Sequence, residues 1–289
     1  MGNVISFERA IGAGWAGEAS SVTVRDVEAQ ASPIGHVIVF ANEKGGTGKS
    51  TLAFHTAVAL CDAGNSVAAI DLDGRQQSLG RALANRDATA RGLRVDLPRP
   101  RHTVAHPQQS ASMLVQEMAR IGWHSDYFVI DVAGHDSALA RRAIAIADTL
   151  VTPVNGSFVD LDLLGRVGAD GAVERGCFGQ LVADLRDERA RRGDTRLDWV
   201  VVPNRVRQGN NNQARFETAL ETLSADLGFR VGAGLAERVA YRELFGLGLT
   251  HLDLRHVPDL PRTRSPAREE VQRLVAELDL PPMCLFAAR

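Results

Sequence analysis

Cysteine is scarce in this chain of 289 residues, and the three that occur, Cys61, Cys177 and Cys284, lie far apart. Three widely spaced thiols exclude a disulfide framework and favour a reducing compartment, so a cytoplasmic location is expected. No group of cysteine and histidine residues has the spacing of a zinc site. No apolar run approaches the roughly 20 residues that cross a bilayer, which predicts no contact with the membrane interior.

Net charge is also small, at −2, because 33 Lys and Arg residues oppose 35 Asp and Glu residues. This balance gives no general attraction to nucleic acid or to acidic membranes, so such a contact needs a local basic patch. Hydrophobic residues make up 45% of the chain and charged residues 24%, as is usual for a globular protein of this length with a substantial core.

Lysine is the rarest charged residue, and the chain contains only Lys44 and Lys49. Both lie in the segment Asn42-Glu43-Lys44-Gly45-Gly46-Thr47-Gly48-Lys49-Ser50-Thr51, between an apolar run and an amphipathic stretch. Closely spaced glycines let backbone N–H groups turn toward an anion, and a following helix adds its positive N-terminal dipole. The segment therefore predicts a phosphate-binding loop in which Lys49 contacts the β- and γ-phosphates and Ser50 binds Mg²⁺.

This loop is a variant of the general phosphate-loop pattern, because Glu43 replaces its first glycine and Lys44 adds a second lysine. A flexible ammonium group suits a close phosphate contact that a planar guanidinium does not reproduce. The residues expected to surround the nucleotide are Gly45, Gly46, Thr47, Gly48, Lys49, Ser50 and Thr51.

Acidic residues follow two further apolar runs. Asp71 and Asp73 follow residues 66–70, and strand alternation predicts that their side chains face the same way. Taken alone, this pair also fits a helix cap or a turn. Asp131 follows residues 126–130 in the Walker B arrangement, in which the carboxylate holds Mg²⁺, and Gly134 is expected to offer its N–H to the γ-phosphate.

Strand-like and helix-like segments alternate along the chain, which predicts an α/β fold: a doubly wound, mostly parallel sheet with helices on both faces. Residues 1–34 are expected to form a flexible leader, residues 35–280 the P-loop domain and residues 281–289 a C-terminal tail. We expect an exposed loop at residues 91–107 and a mainly helical segment at residues 161–192.

The loop with two lysines resembles the deviant Walker A motif of the ParA/MinD class of P-loop ATPases. Within that class the chain is most similar to the MipZ group, which positions the division site in α-proteobacteria. Outside the loop, the likeness is carried by Ile70-Asp71-Leu72-Asp73, Ser157-Phe158-Val159-Asp160, Asp198-Trp199-Val200-Val201, Asn204-Arg205, Tyr241-Arg242-Glu243-Leu244-Phe245 and Gly248-Leu249-Thr250.

The resemblance implies a role for individual residues. Lys44 matches the lysine that reaches across a face-to-face dimer to the partner's nucleotide, and Asp73 matches the carboxylate that positions the attacking water. Lys49 matches the phosphate ligand. The implied metal ligands are Ser50, Asp71 and Asp131, and Asn204, with Arg205 beside it, matches the asparagine that recognises adenine.

The resemblance also implies ATP and Mg²⁺ as cofactors and a slow hydrolysis that is coupled to dimerisation. The implied partners are a ParB-like protein, the tubulin-like protein FtsZ, whose polymerisation is inhibited, and nonspecific DNA, with a nucleoid-associated or polar distribution. Six arginines and five acids lie at residues 200–245, and the candidate DNA contacts there are Arg207, Arg215, Arg238 and Arg242.

Val132 and Ala133 depart from the family's usual Asp-Thr-Pro-Gly sequence after the Walker B strand. This difference and the leader leave room for a ParA-like ATPase that positions a plasmid, a chromosome or a protein cluster. Two further alternatives are an enzyme that uses the same fold for small-molecule or redox chemistry and a nucleotide-binding scaffold that does not hydrolyse.

Overall fold

The structure, a computed structural model, describes residues 18–105, 113–205, 211–237, 239–257 and 266–282. Its strands are β1 (His36–Phe40), β2 (Val67–Asp71), β3 (Arg101–Val104), β4 (Tyr127–Asp131), β5 (Thr149–Val154), β6 (Gly165–Val167), β7 (Val173–Arg175), β8 (Asp198–Pro203) and β9 (Arg230–Val231). Seven of them form a parallel sheet in the order β3-β2-β4-β1-β5-β8-β9, and β6 pairs with β7 in a short antiparallel hairpin.

Helices cover both faces of this sheet. They are α1 (Ser20–Glu28), α2 (Lys49–Asp62), α3 (Ser78–Leu93), α4 (Leu114–Gly122), α5 (Ala138–Ile146), α6 (Phe158–Leu161), α7 (Cys177–Arg191), α8 (Asn211–Leu227), α9 (Val239–Gly246) and α10 (Pro266–Glu277). Helices α1, α4, α5, α7 and α8 contribute to one core layer, and α2, α3, α9 and α10 to the other. The prediction of a doubly wound, mostly parallel sheet is confirmed.

Strand β1 shows why the sequence forms this architecture. Val37 and Val39 are buried against one helical layer, whereas Ile38 and Phe40 are buried against the other. Because side chains alternate across a strand, a strand buried on both faces needs apolar residues at every position. The continuous apolar runs of the sequence are therefore the interior strands of the sheet.

Strand register sets the position of the site. Phe40 of β1 lies beside Asp131 of β4, and Asp131 lies beside Asp71 of β2, all at the carboxyl ends of parallel strands. The chain leaves β1 toward one side of the sheet and later returns to its other side through β5. Ligands bind in doubly wound sheets at such a change of direction.

The expectation of a flexible leader through residue 34 is wrong for residues 20–28, which form helix α1. Thr23 and Val24 of this helix are buried. Arg142 of α5 donates hydrogen bonds to the carboxylates of Glu18 and Asp26, at 2.5 and 2.7 Å. The helix is therefore fixed by contacts with distant parts of the chain, which its weak apolar periodicity does not reveal.

Two local expectations also differ from the structure. Strand β3 lies within the segment 91–107 that we expected to be a loop, and the hairpin of β6 and β7 interrupts the segment 161–192 that we expected to be mainly helical. No helix in the described part of the chain is long and apolar enough to span a bilayer.

Candidate functional site

The loop between β1 and α2 has a backbone shape that requires glycine at two positions. Gly46 and Gly48 have φ values of 79° and 98°, in the left-handed region that side chains disfavour. A Cβ atom on Gly48 would also lie 2.2 Å from Nδ2 of Asn204. Helix α2 begins directly after this glycine, so its N-terminal dipole and free N–H groups face the loop.

Lys49 lies inside the loop and is 8% exposed. Its Nζ donates a hydrogen bond to the carbonyl of Lys44 at 2.9 Å. A Cβ atom on Gly134 would lie 3.2 Å from that Nζ and 3.3 Å from the N of Gly45, so the loop, the lysine and the segment after β4 meet at one point. Burial lowers the pKa of Lys49, and the Asp131 and Asp73 carboxylates oppose this effect. A phosphate here would stabilise the charged ammonium further.

Asp131 lies behind the loop and is 1% exposed. Neither of its oxygens has hydrogen-bond geometry to a partner in the described part of the chain. Burial raises its pKa to about 8, the Asp71 carboxyl adds to the rise, and Ser50 and Lys49 are near enough to oppose it. A buried carboxylate without a partner is costly, and a cation would satisfy it.

This donor set fits Mg²⁺. Among the described residues, no cluster of three or more His, Cys, Asp or Glu side chains could hold a metal ion by themselves. Mg²⁺ usually takes one or two protein oxygens, several waters and the phosphates of a nucleotide. Ser50 and Asp131 would hold the ion, as the sequence predicts, and bound Mg²⁺ would neutralise charge on the phosphate oxygens.

Asp71 is fully buried, and its two oxygens accept hydrogen bonds from the N–H groups of Asp73 and Gly80, both at 2.9 Å. This carboxyl therefore fixes the loop after β2 and the start of α3. Its role as a Mg²⁺ ligand stays a prediction. Burial raises its pKa, because desolvation outweighs the backbone hydrogen bonds that this carboxyl accepts.

Asp73 does not continue the alternation of the strand, because β2 ends at Asp71. Its Oδ1 instead accepts hydrogen bonds from the N–H groups of Arg75 and Gln76, at 3.2 and 2.9 Å. The turn nevertheless places Asp73 in the wall of the loop cavity, together with Lys49 and Ser50.

Lys44 is not among the residues that line the loop cavity, and it forms an ion pair with Asp160, whose side chain is fully buried. The other oxygen of Asp160 accepts a hydrogen bond from the N–H of Asn155 at 2.8 Å. Sequence reasoning assigned no role to Asp160. The pair joins residues 116 positions apart, which no local pattern reveals.

Asn204 connects the loop to the segment before α9. Its Nδ2 donates to the carbonyl of Thr47 at 2.8 Å, and its Oδ1 accepts from the N–H of Leu235 at 3.1 Å. The side chain is 2% exposed, so it supports the loop, and its contact with adenine stays a prediction. Arg205 follows with a φ of 56° and donates to the carbonyl of Gly46 at 2.9 Å.

Two adjoining cavities form the candidate site. The loop cavity has a volume of about 350 Å³, and a neighbouring cavity of about 310 Å³ shares Thr51, Arg205 and Phe245 with it. The first has Lys49 and the glycines of the loop in its wall, and the second has Tyr241 and Leu235. The predicted residues that line the loop cavity are Gly45, Gly46, Gly48, Lys49, Ser50, Thr51, Asp73, Gly134 and Arg205. Thr47 is fully buried beneath it.

Two of the four arginines proposed to contact DNA lie among the described residues, and they occupy different surfaces. Arg207 and Arg238 lie outside the described residues. Arg215 is exposed on α8, whereas Arg242 lines the second cavity and lies 3.5 Å from Glu237. DNA binding therefore stays a prediction.

Comparison with protein families gives one match that covers most of the chain. The profile of the family described as ATPase MipZ matches residues 36–282. No curated protein sequence matches the chain significantly. Helix α1 precedes the matched region, whereas both cavities lie within it.

Solved structures support the fold at low sequence identity. Apo McdA from Cyanothece has a TM-score of 0.57 and 17% identity, with 84% of this chain and 99% of that one covered. A putative plasmid partition protein from Borrelia burgdorferi bound to AMPPNP has a TM-score of 0.56 and 16% identity, covering 85% and 98%. MinD from Pyrococcus horikoshii with Mg-ADP has a TM-score of 0.54 and 17% identity, covering 85% and 96%.

Proposed function

Since the chain belongs to the ATPase family MipZ, we propose that it is a Mg²⁺- and ATP-dependent ATPase that switches between monomer and dimer. The observation that carries this proposal is that buried Lys49, half-buried Ser50 and Asp131, which has no hydrogen-bond partner among the described residues, lie together at one glycine loop. These are the cation, hydroxyl and carboxylate that a Mg²⁺-bound triphosphate needs.

Hydrolysis in this site depends on how the phosphates and the attacking water are positioned. The loop N–H groups and Lys49 bind the phosphates and stabilise charge that develops on them, while Asp73 orients the attacking water. The described wall of the cavity contains no histidine or other strong general base. A slow turnover follows, since orientation and electrostatic stabilisation then carry the reaction.

Lys44 is the residue that couples the nucleotide to dimerisation. Two triphosphates that face each other repel unless cations lie between them, and Lys44 of each subunit would supply one in trans. To do so, Lys44 must leave Asp160, and the partner's γ-phosphate is the anion that replaces this carboxylate. Loss of the γ-phosphate on hydrolysis removes that attraction and returns the protein to the monomer.

The biological role that follows from family membership is spatial regulation of cell division. The protein would inhibit FtsZ assembly, be recruited by a ParB-like protein and associate with nucleoid DNA, as a cytoplasmic protein in a nucleoid-associated or polar distribution. A second candidate is a ParA-like ATPase that positions another cargo. Two features support this alternative. Helix α1 lies outside the matched region, and Asp131 is followed by the buried residues Val132 and Ala133.

Sedimentation of FtsZ polymers separates these two roles. The ATP-bound protein, trapped by Asp73→Ala, is expected to reduce the pelleted polymer, whereas its ADP-bound form leaves it unchanged. Unchanged polymer in both states would reject the FtsZ role and favour the cargo alternative.

Binding of the trapped protein to nonspecific duplex DNA is expected to fall steeply with salt and to weaken in Arg215→Ala. Salt-insensitive or absent binding would reject the DNA contact.

A further inference from the structure

Gln76 is a polar residue of the loop cavity and has no role in the function proposed above. It lines that cavity with Lys49, Ser50, Asp73 and Gly134. The residue is exposed, and no hydrogen bond of its side-chain amide is seen among the described residues. Its carboxamide is therefore available to whatever occupies the cavity.

The backbone at Gln76 is held by the residue already expected to orient water. Oδ1 of Asp73 accepts the N–H of Gln76 at 2.9 Å, and the carbonyl of Asp73 accepts the N–H of Gln77 at 2.8 Å. Helix α3 begins two residues later, at Ser78. Asp73 and Gln76 therefore form one preorganised turn in the cavity wall.

The neighbouring glutamine has a different position. Gln77 adopts a φ of 49° and donates from Nε2 to the carbonyl of Gly74 at 2.9 Å. It is not part of the described cavity wall. Substitution of Gln77 therefore changes the turn but not the cavity wall, whereas substitution of Gln76 changes the cavity wall. The same side chain is removed in both cases.

The chemistry of an amide complements that of the carboxylate. Ionised Asp73 only accepts hydrogen bonds, and one of its oxygens is already bonded to the turn. The carboxamide of Gln76 can accept a hydrogen bond from water and also donate one to a phosphoryl oxygen. A glutamine that orients water in this way supports hydrolysis in other nucleotide hydrolases with slow intrinsic rates.

We infer that Gln76 acts with Asp73 to position the water that attacks the γ-phosphate, an inference that rests on the proposed ATPase function. The water oxygen forms a bond to the γ-phosphorus as the bond from phosphorus to the β–γ bridging oxygen breaks. The electron pair of that bond stays on ADP, and the water proton leaves with inorganic phosphate. Gln76 accepts a hydrogen bond from the water and donates one to the γ-phosphoryl group.

The test compares Gln76→Ala with Gln77→Ala in the full-length protein, using single-turnover phosphate release with Mg²⁺ and ATP. Gln76→Ala is expected to lower the hydrolysis rate roughly 10- to 100-fold while ATP affinity stays within about threefold of wild type, as for a lost transition-state contact. Gln77→Ala is expected to keep a rate within about threefold of wild type. The ATP-bound dimer of Gln76→Ala should also persist longer in sedimentation.

Several results would overturn the inference. Equal hydrolysis rates in wild type and Gln76→Ala would show that Gln76 takes no part in the reaction. Equal losses of rate in Gln76→Ala and Gln77→Ala would show that only the structure of the turn matters. A loss of ATP affinity that accounts for the slower rate would make Gln76 a binding residue. If wild type binds ATP without hydrolysing it, the proposed ATPase function fails first, and this inference falls with it. Unfolding curves of all three proteins check that the exposed substitutions leave the fold intact.

Discussion

The two ends of the central sheet differ in how completely their buried polar groups are paired. At the amino ends they pair: Arg189 donates to the carbonyl of Ala147 at 2.6 Å and to Asp194 at 2.8 Å, and the N–H of Val37 donates to Asp148. At the carboxyl ends, Asp131 is buried with no hydrogen-bond partner in the described part of the chain. Satisfied pairs stabilise a fold, whereas an unsatisfied buried group marks a place where a ligand completes the structure.

Cavity size alone points to the amino ends of the sheet, away from the loop. The cavity at the amino ends, lined by His36, Asp148, Arg189 and Asp194, has a volume of about 560 Å³, compared with about 350 Å³ for the loop cavity. Its two arginines, Arg196 and Arg189, both form ion pairs with Asp194 and lower the pKa of that carboxyl. The smaller cavity is the candidate site because Lys49, Ser50 and Asp73 line it and the buried carboxylate of Asp131 lies close to Lys49 and Ser50.

The largest effect is expected for Lys49→Ala. Removing the buried ammonium should weaken ATP binding roughly 100-fold, because a charge-assisted contact with phosphate is lost. Isothermal titration calorimetry with ATP and Mg²⁺ measures this change. Arg196→Ala, at the amino ends, is the matched control and should bind ATP like wild type. Equal losses in the two variants would mean that the two ends do not differ as described.

A smaller, structural effect is expected for Glu18→Ala. Arg142 is 8% exposed and would keep only Asp26 as a carboxylate partner. The free energy of unfolding should fall by about 1–3 kcal/mol, because a buried guanidinium loses part of its compensation. Urea unfolding measures this loss, and ATP affinity should not change. Asp162→Ala, which breaks the exposed pair with Arg166, should leave the urea unfolding curve close to that of wild type. A Glu18→Ala protein as stable as wild type would contradict the role given to α1.

The smallest effect concerns His55, which is fully buried in α2. Its Nε2 has no hydrogen-bond partner in the described part of the chain, in contrast to Nε2 of His36, which lies 2.8 Å from Oγ1 of Thr149. Burial lowers the pKa of His55 from 6.5 to about 4. The unfolded chain therefore binds a proton more readily, and the folded state loses stability as the pH falls from about 6.5 toward 4.

Urea unfolding of wild type and His55→Gln at several pH values tests this contribution. Between pH 7.5 and 5, His55 should remove about 1–2 kcal/mol from the unfolding free energy of wild type. His55→Gln has no imidazole at this position. Its unfolding free energy should therefore fall by about 1–2 kcal/mol less than that of wild type between pH 7.5 and 5. Parallel curves for the two proteins would show that His55 does not titrate differently in the folded and unfolded states.

The parts of the site that the sequence predicts are those encoded locally. Gly45 to Ser50 are contiguous, and Asp131 directly ends an apolar strand, so spacing alone places them at one edge of a parallel sheet. The alternation of apolar strands and amphipathic helices likewise predicts the fold, because each apolar run must be covered on both faces.

The features that escape prediction depend on distant residues. Helix α1 depends on Arg142, more than 100 positions away, and Lys44 pairs with Asp160. Strand β3 is a short edge strand whose side chains are partly exposed, so it lacks the continuous apolar run of an interior strand. The orientation of Asp73 follows from a turn that starts where β2 ends, which a rule of strand alternation cannot anticipate.

Sedimentation velocity of the Asp73→Ala protein, with and without the additional substitution Lys44→Ala, tests whether Lys44 couples ATP to dimerisation. Asp73→Ala is expected to be a dimer with Mg²⁺ and ATP and a monomer with ADP, and the double variant a monomer with both nucleotides. ATP binding should survive in the double variant, since Lys49 remains. A Lys44→Ala protein that still dimerises with ATP, or an Asp73→Ala protein that stays monomeric while binding ATP, would contradict the proposed switch.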